Sequence, residues 1–329
     1  MPWSRVLTFD DPLHYQAAIR AGDWQVYPTR KGQFRAELTQ ITLNQLWMQS
    51  FHHGPQIQTG AVTPNRKVIG FLTEVRQPAI HHRGEEVSPY DVIANTDVMH
   101  IRAEGDCHYG GMSLPQDGFD TACQAIIGSP LALPAFNSFV RPNPELVMRL
   151  INLQKSVCSI AKSMPELFEL PEVVRAFEQN SIHLMVRCLT EGTTSTMSSG
   201  AQRHEAIVKR FEEFLEANPN TPLYLPEICA AVGATERTIR YACEHHLGMG
   251  PIRYLGLRRM HFVRRVLLQS DSSTATVTRI ATDHGFWELG RFAVAYRTLF
   301  GEPPSATLQR PPERRDSRSH RPSSLAQMV

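Results

Sequence analysis

Arginine side chains are clustered on two short predicted helices and on the segment that joins them, in the last third of this 329-residue chain. Arg237 and Arg240 lie on the first helix, and Arg291 and Arg297 lie on the second. A guanidinium carries a permanent positive charge and donates paired N–H bonds to phosphate oxygens or to the O6 and N7 acceptors of guanine. The arginine positions therefore favour nucleic-acid binding, provided that the surrounding segments can present both helices to a duplex.

The segment 275–301, which we call the second unit, predicts a helix, a sharp turn and another helix. Its first helix places Val277, Ile280 and Ala281 at helical spacing, and Gly285 then interrupts the run. The next helix begins near Glu288, which can cap it. Apolar residues follow on one stripe, and a glycine and two prolines end the pattern: Phe292, Tyr296, Leu299, Phe300, Gly301, Pro303 and Pro304.

The same pattern occurs earlier, in residues 225–248, which we call the first unit. Gly233 marks its turn, Thr235 can cap its second helix, and Gly248 ends that helix. One long arginine-rich segment, residues 252–269, joins the two units and predicts a continuous helix. Helical hairpins are common, but two hairpins of the helix-turn-helix type joined by one helix are a specific pattern.

This arrangement resembles the DNA-binding domain of AraC/XylS-family transcription regulators over roughly residues 203–310. The matching residues are Leu225-Pro226-Glu227-Ile228-Cys229, Gly233, Thr235, Gly248-Met249-Gly250-Pro251, Tyr254, Arg259, Ile280-Ala281, Gly285-Phe286, Phe292, Tyr296, Phe300-Gly301 and Pro304. The sequence departs from the family pattern at Tyr241, where Arg is common, and at Cys243, where Phe is common. The first departure affects base preference and the second affects core packing.

The resemblance implies which side chains face DNA. In the first unit these are Thr235, Glu236, Arg237, Thr238, Arg240 and Tyr241, and in the second unit Glu288, Leu289, Gly290, Arg291, Ala293, Val294 and Arg297. Arg237, Arg240 and Tyr241 are expected at base edges, although either arginine can instead contact only phosphate. Gly290, Ala293 and Val294 offer few hydrogen bonds, so the first unit is expected to make most of the direct base contacts.

Charge and cysteine content are consistent with this interpretation. Residues 1–200 contain 16 Lys/Arg and 19 Asp/Glu, whereas residues 201–310 contain 14 and 11, so the basic part coincides with the two units. The six cysteines have no C-x-x-C spacing, and we expect reduced core residues at Cys229 and Cys243. The chain has neither a signal-peptide pattern nor a membrane-length apolar run, and we expect a cytoplasmic location with no membrane partner.

The N-terminal part predicts a different architecture. Short alternating runs between Gly32 and Leu114 predict a β-rich domain over residues 1–140, with a short helix at Pro12–Ala21. Residues 141–190 predict two amphipathic helices, residues 191–202 a polar linker, and residues 311–329 a disordered tail. The predicted fold class is α+β: a cupin-like N-terminal sensor domain with a helical extension, and an all-α domain of two helix-turn-helix units joined by a long helix.

Chemical motifs of enzymes are missing from the sequence. The histidine pairs His52-His53 and His81-His82 lack the spacing of a cupin metal site, and no phosphate loop or nucleophile elbow occurs. We therefore expect no catalytic residues, no metal and no cofactor. Aromatic strand residues, namely Trp47, Phe51, Phe71, Tyr90 and Tyr109, either line a ligand cavity or belong to the core.

The sequence thus predicts a DNA-binding transcription regulator that responds to an unidentified small-molecule effector. The family resemblance also implies a homodimer, with the helices of residues 141–190 as the contact, and activation through RNA polymerase. The sequence is compatible with three alternatives. They are a cupin-type enzyme carrying a passenger DNA-binding domain, a DNA-repair methyl acceptor, which needs a reactive cysteine near zinc, and a DNA-binding regulator without a ligand.

Overall fold

A computed structural model gives the three-dimensional structure of the chain. It describes residues 2–94, 98–131, 137–219, 221 and 223–310, and the predicted disordered tail, residues 311–329, lies outside them. Within the described residues no helix is both long and apolar enough to cross a membrane. The predicted fold class is confirmed: the N-terminal half, residues 2–196, is β-rich with packed helices, and the C-terminal half, residues 199–310, is all-α.

The N-terminal half is dominated by antiparallel strands. Its described strands and first helix are β1 (Trp3–Phe9), α1 (Pro12–Ala18), β2 (Gly22–Pro28), β3 (Ala36–Thr42), β4 (Trp47–His53), β5 (Gln56–Val62), β6 (Arg66–Leu72), β7 (Ile80–His82), β8 (Glu85–Glu86), β9 (Val92–Ala94), β10 (Val98–Ala103) and β11 (Cys107–Pro115). The predicted short helix is confirmed as α1, which Asp11 caps by accepting a hydrogen bond from Leu13 N at 2.8 Å. The strands β1 and β2 fall in a region where the sequence indicated no strands.

The remaining elements of this half are helical, apart from two strands. They are α2 (Gln116–Ile127), β12 (Asn137–Arg141), α3 (Pro144–Ser163), a 3-10 turn (Pro165–Glu169), α4 (Pro171–Thr190) and β13 (Thr193–Thr196). The helices α3 and α4 are the two amphipathic helices that the periodicity predicts. Their buried stripes, with those of α2, pack on one face of the larger sheet.

The strands form two sheets that face each other across one core. The larger has the order β1-β3-β4-β11-β6-β9-β12-β13, and the smaller has the order β2-β5-β10-β7-β8. Successive side chains on a strand point to opposite faces, so β4 contributes Phe51 to the core between the sheets and Met48 to the core beneath α3 and α4. This double-sheet arrangement corresponds to the predicted cupin-like domain.

Residues 191–202 do not form the polar linker that we predicted. Thr193–Thr196 is strand β13, paired with β12 at the edge of the larger sheet, and the next helix already begins at Ser199. Threonine is β-branched and fits a strand well, and Ser198 caps the helix through its hydroxyl, which accepts from Ala201 N. The composition was that of a linker, but backbone pairing with a distant strand gave the segment order.

Seven helices form the described C-terminal half. They are α5 (Ser199–Ala217), α6 (Leu225–Val232), α7 (Glu236–Leu247), α8 (Pro251–Gln269), α9 (Val277–Asp283), α10 (Leu289–Phe300) and α11 (Pro304–Leu308). The first unit is α6 and α7 with α5 packed against them, and the second unit is α9 and α10 with α11. The predicted connecting helix is confirmed as α8, which reaches from one core to the other.

Candidate nucleic-acid interface

Helix α7 has one buried face and one exposed face. Ile239, Ala242 and Cys243 are fully buried in the core of the first unit, as the helical spacing predicts. Thr235 is the N-cap, and its hydroxyl accepts a hydrogen bond from Thr238 N at 3.3 Å. Gly233 adopts a left-handed backbone with φ +67°, which turns the chain sharply from α6 into α7.

The predicted DNA-contacting side chains of the first unit lie on the other face of α7. Thr235, Glu236, Arg237, Arg240 and Tyr241 are exposed, and Thr238 is half-buried. The Arg240 guanidinium pairs with Glu236 at 2.6 Å along the helix. Tyr241 is 55% exposed and lies beside the rings of His204, at 4.9 Å, and His245, at 6.2 Å. The exposed face thus offers guanidinium donors and a phenol near the N-terminal end of α7.

The second unit repeats this arrangement with a different set of side chains. Phe292 and Tyr296 are buried, while Glu288, Gly290, Arg291, Val294 and Arg297 are exposed and Leu289 and Ala293 are half-buried. The expected side-chain cap at Glu288 is wrong: this residue occupies the N-cap position, but its carboxylate pairs with the Arg291 guanidinium at 2.9 Å. In the middle of the exposed face of α10 the side chains are small and apolar, and arginines lie beside them.

Trp287 is not a core residue. Its side chain is 70% exposed, and it lies in the turn between α9 and α10. Instead, the neighbouring Phe286 packs against the core of the second unit, where its ring centroid lies 4.9 Å from that of Phe292. An indole left in solvent beside the exposed face of α10 enlarges the surface available for a duplex.

Helix α8 determines how far apart the two units lie. It has 19 residues, which corresponds to a length of about 28 Å. Two successive major-groove entries on one face of B-DNA are separated by about 34 Å. The length of the connecting helix is thus comparable to the separation of two neighbouring major-groove entries.

The arginines of α8 do not form a solvated charged face. The side chains of Arg258 and Arg264 are only 13% and 5% exposed. The reason is that the N-terminal half covers this side of α8. Arg258 lies over the ring of Tyr27, and Arg265 donates to Gln25 Oε1 at 3.0 Å. Arg259 is half-buried and donates to Thr221 O at 2.8 Å.

The N-terminal half also contacts both units directly. Tyr27 and Ile57 of its smaller sheet belong to the core of the first unit. The turn between β7 and β8 lies against the C-terminal end of α7, where a Cβ built on Gly84 would be 2.6 Å from His245 Nδ1. At the second unit, Gly32 N donates to Leu299 O at 3.2 Å. The exposed N-terminal part of α7 is left uncovered by these contacts.

Buried histidines accumulate at this interface. His82 and His100 of the N-terminal half and His246 of α7 are nearly inaccessible to solvent. Burial lowers the pKa of all three, and it lowers that of His246 to about 3, with the neighbouring His100 and His245 adding to the effect. Desolvation disfavours the charged imidazolium, so the packing at this interface favours neutral imidazole rings. The sequence did not predict that these three histidines lie together, because they are far apart in the chain and approach one another only in the folded structure.

A cavity lies between the two sheets of the N-terminal half. Its volume is about 40 Å³, and its walls include Phe51, Phe71 and Tyr109, as the aromatic positions suggested. Trp47 and Tyr90 do not line it. The Tyr109 hydroxyl donates to Gln58 Oε1 at 2.9 Å, which satisfies the polar atom of an otherwise apolar wall.

Comparisons with known proteins agree with the geometry of the C-terminal half. A family model described as a helix-turn-helix domain matches residues 228–310. The chain is 29% identical over 209 residues to the XylDLEGF operon transcriptional activator 3 of Pseudomonas putida, a match that covers 62% of this chain and 60% of that protein. It is 32% identical over 118 residues to the XylDLEGF operon transcriptional activator 2 of the same species, covering 34% and 75%.

A solved structure is also similar in sequence. The probable AraC family transcriptional regulator from Rhodopseudomonas palustris CGA009 is 38% identical, over 32% of this chain and 95% of that one, with a TM-score of 0.29. The chain spans about 60% of the length of the first P. putida relative. The residues that the family model matches, 228–310, fall in the part that contains the two units.

Proposed function

The chain belongs to the AraC/XylS family of transcription regulators, and on this basis we propose that it binds promoter DNA sequence-specifically through α7 and α10. The observation that carries this proposal is the exposed face of α7. This face presents two guanidiniums and a phenol on a helix whose opposite face is anchored in a core. The P. putida relatives are described as activators, and this supports activation as the outcome of binding.

The two recognition helices differ in the contacts that they can make. Arg237 and Arg240 can donate to guanine, and each bidentate pair contributes about 1–3 kcal/mol of discrimination. The α10 face offers Gly290, Ala293 and Val294, which contact thymine methyl groups or only the groove surface. Arg291 and Arg297 then bind phosphates and fix the register. We propose that α7 supplies most of the base specificity.

Footprinting with two matched variants tests this division. Arg237→Ala should lose preference at one base position of the preferred site, by about 5- to 150-fold. Arg297→Ala should weaken binding to all sequences alike and reduce the slope of log affinity against log salt by about one. Arg30→Ala is the control, because Arg30 is exposed in the N-terminal half and pairs with Asp106 at 3.0 Å. Uniform, merely salt-sensitive loss in both test variants would contradict base readout by α7.

A small-molecule effector and a homodimer complete the proposed regulator. We propose that ligand binding in the N-terminal half changes how this half holds the two units, and so shifts the population of DNA-binding arrangements. The N-terminal half contacts both units, which supports such coupling. Run-off transcription with RNA polymerase, with and without candidate ligands, measures whether this shift activates or represses.

The dimer contact is proposed on α3 and α4. Two apolar side chains next to the 3-10 turn between these helices, Met164 and Leu170, are 44% and 47% exposed. Exposed apolar side chains at the junction of the two helices favour a second copy as their partner. Sedimentation velocity of Leu170→Glu should reveal a lighter species than the unaltered chain. An unchanged sedimentation coefficient would place the contact elsewhere.

A further inference from the structure

The Tyr241 ring on the exposed face of α7 lies beside two histidine rings. The ring centroid of His204, on α5, is 4.9 Å from that of Tyr241, and the ring centroid of His245, one turn further along α7, is 6.2 Å away. The planes of Tyr241 and His245 differ by only 18°, so these two rings are stacked. We call Tyr241, His204 and His245 the aromatic cluster.

The two histidines restrict the position of the Tyr241 phenol. A tyrosine without neighbours on a helix can occupy more than one rotamer, whereas aromatic pairs prefer particular distances and angles between their rings. The Tyr241 side chain nevertheless remains 55% exposed. The cluster therefore holds the ring and still leaves much of it accessible to a duplex.

The cluster borders the surface that carries the two guanidiniums of α7. This concave surface is open to solvent and has a volume of about 730 Å³, and Arg237, Arg240 and Tyr241 are among the residues that line it. Its lining residues all belong to α7 except His204, which α5 contributes. The phenol thus lies on the same surface as the groups that we propose to contact guanine.

The turn between β7 and β8 contacts both helices that supply the cluster. On α5, Arg83 Nε lies 3.1 Å from Glu205 Oε1, directly beside His204 in the chain, and the Arg83 and Glu205 side chains are only 13% and 25% exposed. On α7, a Cβ built on Gly84 would lie 2.6 Å from His245 Nδ1 and 3.1 Å from its Cε1. One turn of the N-terminal half therefore bridges α5 and α7 next to the cluster.

The turn is in addition fixed to its own sheet. Arg83 and Gly84 both have left-handed backbones, with φ +51° and +82°, which an arginine adopts only where its surroundings compensate the strain. Arg83 N donates to His100 O at 3.0 Å, and its Nη2 donates to Val98 O at 3.0 Å. A movement of this sheet relative to the first unit is therefore transmitted to the cluster.

We propose that Tyr241 reads one base of the DNA site, that His204 and His245 are positioning residues for its phenol, and that the β7–β8 turn sets this position. The inference rests on the function proposed above and names how one base of that site is selected. The hydroxyl can donate to or accept from a base edge, and the ring can contact a thymine methyl group. A phenol that is already held loses less conformational freedom on binding, so base discrimination depends on histidines that do not touch the base.

Selection of duplexes from a random pool by the full chain, followed by sequencing, tests the proposal. Tyr241→Ala should lose preference at one base position by at least about fivefold and keep it at the others. His204→Ala and His245→Ala should each reduce preference at that same position by about 2- to 10-fold. On the Tyr241→Ala background they should have no further effect, because the interaction needs both partners. His183→Ala, exposed on α4, is the control and should change nothing.

Two further readouts separate positioning from a structural contribution. His204→Phe keeps a ring beside Tyr241 and should retain the base preference that His204→Ala loses. The slope of log affinity against log salt should be unchanged in all histidine variants, because no phosphate contact is removed. A reduced slope, or an equal loss of affinity on every sequence, would overturn the positioning role of these histidines.

Substitutions in the turn test its contribution. Gly84→Ala pushes on His245, and Arg83→Gln removes the ion pair with Glu205. Each should change the preference at the Tyr241 position by at least about twofold and leave the other positions unaltered. Gly128→Ala is the matched control, because Gly128 also has a left-handed backbone but no atom lies within 4 Å of an added Cβ. Unchanged preference in both turn variants would mean that the turn does not set the phenol position.

Fluorine NMR of the full chain labelled with 3-fluorotyrosine provides a readout without DNA. The Tyr241 resonance is identified by its absence in Tyr241→Phe. It should shift in His245→Ala and in Gly84→Ala, and it should stay in place in Gly128→Ala. A resonance that is unchanged in the first two variants would contradict contact between the turn, His245 and the phenol.

The same selection experiment separates this inference from the DNA-binding proposal. If Arg237→Ala loses preference at one position and Tyr241→Ala at none, DNA recognition by α7 stands and the inference about Tyr241 fails. If the unaltered chain selects no sequence, both fail.

Discussion

Arg264 of α8 and Asp11 of the N-terminal half form a buried ion pair across the two halves of the chain. The Arg264 Nη2 atom lies 3.0 Å from Asp11 Oδ2, and each side chain is only 5% exposed. The other guanidinium nitrogen, Nη1, lies 2.8 Å from Glu302, which directly follows the second unit. Asp11 also caps α1. One arginine therefore connects the first helix of the N-terminal half to the second unit.

Removing the Asp11 charge should loosen this connection. Asp11→Asn leaves Arg264 buried with Glu302 as its remaining carboxylate, and we expect a loss of about 1–3 kcal/mol in the free energy of unfolding. Urea denaturation of the full chain measures it. Asp10→Asn is the matched control, because Asp10 is exposed and its substitution should change stability by less than about 0.5 kcal/mol. Equal effects of the two substitutions would mean that the buried pair contributes nothing specific.

The contact between the β7–β8 turn and α7 can be tested at Gly84. Gly84 and Gly128 both have left-handed backbones, with φ +82° and +74°, so alanine strains each by about 1–2 kcal/mol. A Cβ on Gly128 has no neighbour within 4 Å, whereas one on Gly84 would also lie 3.1 Å from the buried His246 ring. Gly84→Ala should therefore lower the free energy of unfolding by about 1 kcal/mol more than Gly128→Ala does.

Hydrogen exchange gives the position of that effect. In Gly84→Ala, amide protection should fall at the C-terminal end of α7, while Gly128→Ala should alter only the end of α2. Unchanged protection of α7 in Gly84→Ala would mean that the turn does not press on the first unit in solution.

Acidification should separate the N-terminal half from the first unit. His246 is faced by His245 on its own helix, His204 on α5, and His100 and Arg102 on β10. Its lowered pKa means that the docked arrangement holds fewer protons than the separated one. Docking is therefore complete above the ordinary histidine pKa of about 6.5 and weakens as the pH falls from there toward the docked pKa of about 3.

The expected weakening is up to about 1.4 kcal/mol per pH unit for each buried histidine that becomes solvated. Small-angle scattering of the full chain between pH 7.5 and 5.5 should detect an increasing radius of gyration with unchanged helix content. His246→Gln should flatten this dependence, and His183→Gln, on the exposed face of α4, should not. A pH dependence that is identical in all three chains would exclude His246 as its origin.

Trp287 should contribute to DNA affinity but not to stability. Because its side chain is 70% exposed, Trp287→Ala should change the free energy of unfolding by less than about 0.5 kcal/mol. Phe292→Ala, which empties a buried position of the same unit, should cost about 3–5 kcal/mol. Binding assays on several duplexes should detect weaker affinity for Trp287→Ala on all of them. Unchanged affinity would mean that the Trp287 indole remains exposed to solvent in the DNA complex and does not contact the duplex.

Short-range signals predicted the C-terminal helices well. The glycines Gly233, Gly248, Gly285 and Gly301 all adopt the left-handed backbone that ends a helix or turns the chain, and Thr235 caps α7. These signals work because a cap or a tight turn involves only a few consecutive residues. The same reasoning failed at Glu288, whose carboxylate pairs with the Arg291 guanidinium instead of accepting a hydrogen bond from the backbone of α10.

The sequence by itself determined the two helix-turn-helix units, the connecting helix and the exposed face of α7, because helical periodicity and caps are properties of neighbouring residues. Only the tertiary structure decided which charged side chains are buried. Arg264 and Asp11 are 253 positions apart in the chain. Arg20, in the segment after α1, and Arg66, on β6, both lie over the ring of Trp47. Strand β13 likewise formed because β12 lies beside it. Such contacts depend on the packing of remote elements, which local periodicity does not encode.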